Sequence, residues 1–208
     1  MAARPILEVD ELARSFDDHV VLKGLTLAVE PGERVALYGP NGSGKTTFLR
    51  CVAGTLAPTT GRVNVAGAVA GSMPARRKTG VAFAQERSWY QRLTGRANLV
   101  FFAQLRTGSK RAAIREVDAL VDELDLGDIA AERLDRCSTG MVQQLAFARA
   151  LLCDPELLLL DEPTRSLDRD ARGRVWRALE RRQRSAVLLA THLDEDLEHC
   201  GSRVEFPT

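Results

Sequence analysis

A chain of 208 residues with 29 basic and 28 acidic side chains, net charge +1, is long enough for one domain with a real core. That balance exerts no global pull toward nucleic acid or acidic lipid, and no apolar run approaches the ~20 residues of a bilayer span. No apolar segment follows Met1-Ala2-Ala3-Arg4-Pro5 as a secretory leader would. The four cysteines (Cys51, Cys137, Cys153, Cys200) lack paired ligand spacing, so neither a disulfide framework nor a zinc site is expected. A soluble protein of a reducing compartment is the expectation, with Cys51 and Cys153 as buried small hydrophobes.

In chain order, residues 6–9, 20–22 and 25–29 read as short β-runs, punctuated by Asp17-Asp18 and Pro31-Gly32 as turns. A fourth run, residues 34–38, feeds directly into a glycine-rich loop. Residues 46–56 then carry apolar side chains at helical spacing and stop before Pro58. Further strands are expected at 62–65 and 81–83. From 85 to 134 the period becomes helical, with Leu99, Phe102, Ala103 and Leu105 on one face, and Ala113, Ile114, Val117, Leu120, Val121 and Leu124 on another. Residues 157–160 and 186–190 are continuous apolar runs, as parallel strands covered on both faces require. Between them the arginine-dense stretch 165–184, interrupted by Asp168, Asp170 and Glu180, reads as a solvated helix face. The predicted class is therefore α/β: a mostly parallel sheet with an N-terminal antiparallel β subdomain and a helical insertion. The whole chain makes one domain, with a core from about 1–84 and 135–208 and a helical subdomain at 85–134.

Gly39-Pro40-Asn41-Gly42-Ser43-Gly44-Lys45-Thr46 matches G-x-x-x-x-G-K-[ST] in the context the motif needs, after a strand and before a helix. Glycines let backbone N–H groups wrap phosphates while the helix start presents its positive end. Lys45 would reach the β- and γ-phosphates of ATP and the Thr46 hydroxyl would ligate Mg²⁺; Thr47 belongs to the same phosphate-contacting set. The run Leu157-Leu158-Leu159-Leu160 delivers Asp161 to a strand end as a second Mg²⁺ contact. Glu162, one residue on, is placed to polarise a water as general base, although a strand leaving the core through a charged turn would look the same.

With Cys137-Ser138-Thr139-Gly140-Met141 before a predicted helix at 142–152, the chain resembles the nucleotide-binding domain of an ATP-binding cassette (ABC) protein over nearly its whole length. That pentapeptide is similar to the family's LSGGQ signature, with Ser138 and Gly140 at its most telling positions and departures at Cys137, Thr139 and Met141. By itself, Ser138 would serve equally as a helix N-cap. The resemblance implies a P-loop NTPase fold and a head-to-tail pair of subunits, in which Ser138 and Gly140 of one close on the γ-phosphate held by the other. It further implies that Gln85 senses Mg²⁺ and the attacking water, that Asp168 lies in the loop crossing the dimer interface, that His192 contacts the γ-phosphate, and that Phe16 stacks on adenine. His19 and His199 match nothing in the family and read as surface residues.

The family resemblance extends to role. It implies ATP hydrolysis coupled to transport through membrane-spanning subunits on other chains, with a homodimeric ATPase peripheral on the cytoplasmic membrane face and no nucleic acid. Residues 86–99 and the Ser-Thr-Gly-Met signature look most like exporter ATPases, and the chain ends soon after His192, without the extra domain of many importer ATPases. Trp89 and Tyr90 fall where the family receives its membrane partner, and would anchor it if exposed; they could instead pack the insertion onto the core. Two other classes stay open: a soluble cassette ATPase of cofactor assembly, nucleic acid or ribosomes, and a non-hydrolysing subunit, against which Lys45, Asp161, Glu162 and His192 all speak.

Overall fold

The computed structural model describes residues 4–83 and 88–206. In chain order its strands are β1 (Leu7–Phe16), β2 (His19–Val29), β3 (Arg34–Tyr38), β4 (Thr60–Val65), β5 (Ala68–Val69), β6 (Thr79–Ala82), β7 (Leu157–Asp161), β8 (Ala186–Thr191) and β9 (Ser202–Glu205). The helices are α1 (Lys45–Val52), α2 (Met73–Lys78), α3 (Gly95–Thr107), α4 (Lys110–Glu123), α5 (Gly127–Ala131), α6 (Thr139–Leu151), α7 (Arg169–Arg181) and α8 (Asp194–Leu197).

The N-terminal strands form an antiparallel sheet in the order β2-β1-β4-β5. Its strands outrun the short apolar segments because β1 is bulged. Glu11 turns left-handed at φ 46° and the pairing slips between Val9 and Leu12, so the buried side chains fall at 7, 9 and 12. A one-residue insertion reverses the alternation, and the strand loses its period-two signature halfway along. The Asp17-Asp18 turn does close the β1–β2 hairpin, between Phe16 and His19.

The second sheet is wholly parallel, in the order β6-β7-β8-β3-β9. Its central strands are covered on both sides. Leu157, Leu159, Ala186, Leu188 and Ala190 face α1 and the antiparallel sheet, where Phe48, Leu49, Cys51 and Val52 fill the space between the layers. Leu158, Leu160, Val187 and Leu189 face the other way, into a core shared with α3, α4, α6 and α7. Double coverage is why both strands are unbroken apolar runs. The edge strand β9, Ser-Arg-Val-Glu, has only Val204 partly buried, so nothing in its composition announces a strand.

The arginine-dense stretch is helical from Arg169 to Arg181, as α7, but solvated on one side only. Ala171, Val175, Trp176, Ala178 and Leu179 bury its inner face. Of its arginines, Arg182 turns inward to make two bonds to the Glu123 carboxylate, at 2.8 and 3.0 Å. Cys51 is buried as expected, whereas Cys153 is only partly covered. His19 is exposed, but His199 is half-buried and stacked on Trp176, with ring centroids 4.0 Å apart.

Candidate functional site

The parallel sheet order places β7, β8 and β3 side by side, so that residues following their C-terminal ends meet at one edge. Ligands of open α/β sheets bind at such edges. Here the edge holds a cleft of about 410 Å³ lined by Val21, Asn41, Gly42, Ser43, Gly44, Lys45, Thr46, Thr47, Arg50, Phe83, Asp161, Glu162 and Arg165. The loop from Gly39 to Gly44 leads from β3 into α1 and supplies one wall. Gly39 is obligatory sterically: a Cβ there would lie 2.3 Å from the Phe206 carbonyl oxygen. Gly44 starts α1 at φ 98°, and no side chain caps that helix. Its first N–H groups therefore lack side-chain partners, and they carry the positive end of the helix dipole.

Lys45 is buried and folds back over the loop, its Nζ donating to the carbonyls of Gly39 at 2.6 Å and Pro40 at 2.9 Å. Burial lowers its pKa, while the nearby Glu162 and Asp161 charges act in the opposite sense. The Thr46 hydroxyl donates to Asp161 Oδ2 at 2.9 Å. Asp161 is pushed above the ordinary carboxylate range, chiefly by burial and in part by Glu162, against the pull of the Thr46 hydrogen bond. A hydroxyl and a carboxylate so close together are hard oxygen donors suited to Mg²⁺, which takes few protein ligands and completes its shell with phosphate and water. Among the described residues no group of three or more His, Cys, Asp or Glu could hold a metal without such help.

Glu162 leaves β7 in the left-handed region, at φ 52°. Its backbone is fixed on both sides: the N–H donates to Ala190 O at 2.9 Å, and the carbonyl accepts from Gln143 Nε2 of α6. One carboxylate oxygen, Oε1, lies 2.7 Å from His192 Nδ1, while Oε2 is buried without a protein partner. Buried polar atoms are nearly always paired, so an orphaned carboxylate oxygen beside a phosphate-type loop identifies a place for a water or ligand. A strained backbone at the same residue is the usual accompaniment of a functional position.

The chain thus brings together Gly39, Pro40, Asn41, Gly42, Ser43, Gly44, Lys45, Thr46, Thr47, Asp161, Glu162 and His192. Four other expected residues stand apart from the cleft. Ser138 is exposed at the start of α6, its hydroxyl accepting from Met141 N at 3.2 Å. Gly140 packs so closely on the loop after β7 that a Cβ would lie 2.8 Å from Ser166 O. Asp168 caps α7, accepting from Ala171 N at 2.8 Å. Phe16 is 43% exposed, with the Arg14 guanidinium 4.4 Å over its ring. Gln85 lies outside the described residues.

Trp89 is not an exposed anchor: it is only 6% accessible, edge-on to Phe102 at 5.8 Å and 4.4 Å beneath the Arg149 guanidinium. It packs the helical segment onto the core, whereas its neighbour Tyr90 is 48% exposed against Phe101. Asn98, which belongs to no chemical motif of the sequence, shapes the turn before α3. Wholly buried, it accepts from Tyr90 N at 2.9 Å and donates to the carbonyls of Tyr90 and Thr94. Its only sequence signal is a polar residue on an otherwise apolar helix face.

A family model described as "ABC transporter" matches residues 22–165. The chain belongs to the ABC transporter family. Related cassettes include the Bacillus subtilis (strain 168) protein "Uncharacterized ABC transporter ATP-binding protein YdbJ", 35% identical over 207 residues, covering 97% of this chain and 66% of that protein. "Nod factor export ATP-binding protein I" of Rhizobium meliloti (strain 1021) is 35% identical over 208 residues, covering 97% of this chain and 62% of its own length. "Fe(3+) ions import ATP-binding protein FbpC 2" of Rhodococcus jostii (strain RHA1) is 43% identical over 174 residues, covering 82% of this chain and 49% of that one. This cassette therefore spans about two thirds or less of these relatives' lengths.

Among solved structures, one titled "Structure of ATP binding subunit of ABC transporter" superposes with a TM-score of 0.86 at 28% identity, covering 97% of this chain and 85% of that chain. The fold is also that of the cassette MJ0796, TM-score 0.85 at 21% identity, covering 96% of this chain and 94% of that one. The P-loop α/β architecture expected from the sequence is thus the family's own. No helix of the described residues is long and apolar enough to cross a membrane.

Proposed function

We propose that this cassette binds ATP with Mg²⁺ and hydrolyses it to drive export through membrane-spanning subunits on separate chains. The observation that carries the reading is Glu162, with one carboxylate oxygen on His192 and the other buried and unpaired beside Lys45 and Asp161. Lys45 exchanges its two loop carbonyls for phosphate oxygens. The uncapped start of α1 and the loop N–H groups bind the remaining phosphate charge. Thr46 and Asp161, with Gln85, would hold Mg²⁺, which when bound would supply charge neutralisation at the phosphates. Glu162 Oε2 takes the proton of the attacking water while His192 holds Oε1 and reaches toward the γ-phosphate.

The cassette works as a pair. Ser138, exposed as the cap of α6, and the half-buried Gly140 two residues on are suited to close over a partner's nucleotide, with Asp168 in the adjoining loop. Phe16, exposed, stacks on adenine, a contact of roughly 1–3 kcal/mol by analogy with base–aromatic stacking. The helical subdomain, residues 85–134, transmits the motion. The membrane subunits dock beside it, at a cleft of about 640 Å³ where Phe102, Leu105, Val81 and Phe83 are rimmed by Arg50, Arg76 and Arg106. The cassette then sits peripherally on the cytoplasmic face.

Export is supported by the Nod factor export relatives. The Fe³⁺ import relative, more identical over a shorter span, favours a second reading, uptake. Reconstitution with the cognate membrane subunits and Mg-ATP outside the vesicles decides between them. Cargo accumulating inside inverted vesicles supports export, and cargo loss from preloaded ones supports uptake. Phosphate release by the purified protein tests hydrolysis itself: no release by the assembled complex contradicts the proposal.

A further inference from the structure

We infer that Asp196 is a positioning residue whose buried carboxylate clamps together the two loops carrying Glu162 and His192; the inference rests on the hydrolytic reading above. Thr164 lies two residues beyond Glu162, and its hydroxyl donates to Asp196, at 2.8 Å from Oδ1 and 2.9 Å from Oδ2. Thr191, the residue before His192, donates its hydroxyl to Asp196 Oδ2 at 2.7 Å. The same Thr191 oxygen accepts from Leu193 N at 3.0 Å, which folds the chain around His192. All three side chains are out of solvent: Thr164 and Thr191 are 0% exposed and Asp196 2%.

The chemistry makes this a directional link. A carboxylate only accepts, so both hydroxyl hydrogens must point at Asp196, and the Thr191 lone pairs are left for Leu193 N–H. Two separate chain segments, one leaving β7 and one leaving β8, are thereby held at a single point behind the Glu162–His192 pair. Those two residues meet at 2.7 Å across the front. Burying a carboxylate between two hydroxyls is a poor way to gain stability, since apolar packing of the same volume serves as well or better. It does fix where each loop runs. A catalytic base displaced by a fraction of an ångström from its water loses rate without losing substrate affinity.

The test is Thr164→Val, which keeps the shape and removes one donor, compared with Thr164→Ser, which keeps the donor, in the assembled transporter. Expected for Thr164→Val is a kcat about 10- to 100-fold lower with KM within about threefold, and for Thr164→Ser recovery of most of that loss. On a Glu162→Gln background, Thr164→Val should cause no further decrease, because the clamp acts through Glu162. An unchanged kcat, a rise in KM alone, or the same fold-loss on both backgrounds overturns the clamp. Should the valine variant fail to fold, Asp196→Asn is read by the same comparisons. Full activity of Glu162→Gln overturns the hydrolytic reading instead, whatever Thr164 does, so the two failures are distinguishable.

Discussion

Replacing Lys45 by methionine separates what this side chain does for the fold from what it does for nucleotide. In the protein alone, its ammonium makes two bonds to loop carbonyls, at 2.6 and 2.9 Å. Charged hydrogen bonds contribute about 1.5–3 kcal/mol each, but removing the ammonium also removes the burial cost that lowers its pKa. The two terms oppose, and a methionine of similar length keeps the packing, so the change in unliganded stability should stay within about 1 kcal/mol. Binding has no such offset. Loss of two charge-assisted phosphate contacts removes about 3–6 kcal/mol, or roughly 10²- to 10⁴-fold in affinity.

Thermal unfolding reads both quantities at once. At ATP about 100-fold above its Kd, ligand linkage stabilises the wild type by about 2.7 kcal/mol. For a chain of this size that is a Tm rise of about 5–11 °C. Lys45→Met should match the wild-type Tm within about 4 °C without nucleotide, and gain less than about 2 °C with it. A large drop in the unliganded Tm would make Lys45 a structural residue. A preserved ATP-induced rise would refute its assignment to the phosphates.

Asp161→Asn should raise the unliganded Tm near neutral pH while weakening Mg²⁺-dependent ATP binding. Burial holds the folded-state pKa of Asp161 above its ordinary value, so protonation is more favourable in the folded chain than in the unfolded one. The stability this group contributes is full below the unfolded pKa and is lost as pH rises through the folded one. The variant's advantage should therefore shrink on acidification, which melting curves between pH 4 and 8 would check; an advantage independent of pH counts against the burial argument. Trp89→Ala should cost about 3–5 kcal/mol in urea unfolding, as a buried aromatic in contact with Phe102 and Arg149. Leu105→Ala, 69% exposed at the mouth of the cleft lined by Phe102 and Arg106, should cost less than about 1 kcal/mol, and is the better probe of membrane-subunit docking by co-purification.

The phosphate loop and the two leucine-rich strands were legible because each obeys a local rule: glycines where backbone must approach phosphate, and unbroken apolar runs where both sheet faces are covered. Elements governed by distant contacts were not. The second half of β1 was lost to the bulge at Glu11, and β9 to its place at a sheet edge, where polar residues suffice. Trp89 could be read either way, since a neighbouring tyrosine and tryptophan say nothing of which one turns inward. Asp196 was invisible for a similar reason. Its meaning lies in Thr164, 32 positions earlier, and no spacing rule links them. Glu162, the proposed base, was found through its neighbour Asp161, but its contact with His192 is a product of the β7–β8 pairing, not of sequence proximity.

The central claim is that Glu162 is the base that activates water. Single-turnover phosphate release by Glu162→Gln, with saturating Mg-ATP and the membrane subunits present, tests it most directly. Removal of a general base predicts a rate about 10²- to 10⁴-fold below wild type, with ATP still bound and the paired cassettes held closed. Phosphate release at the wild-type rate would contradict it.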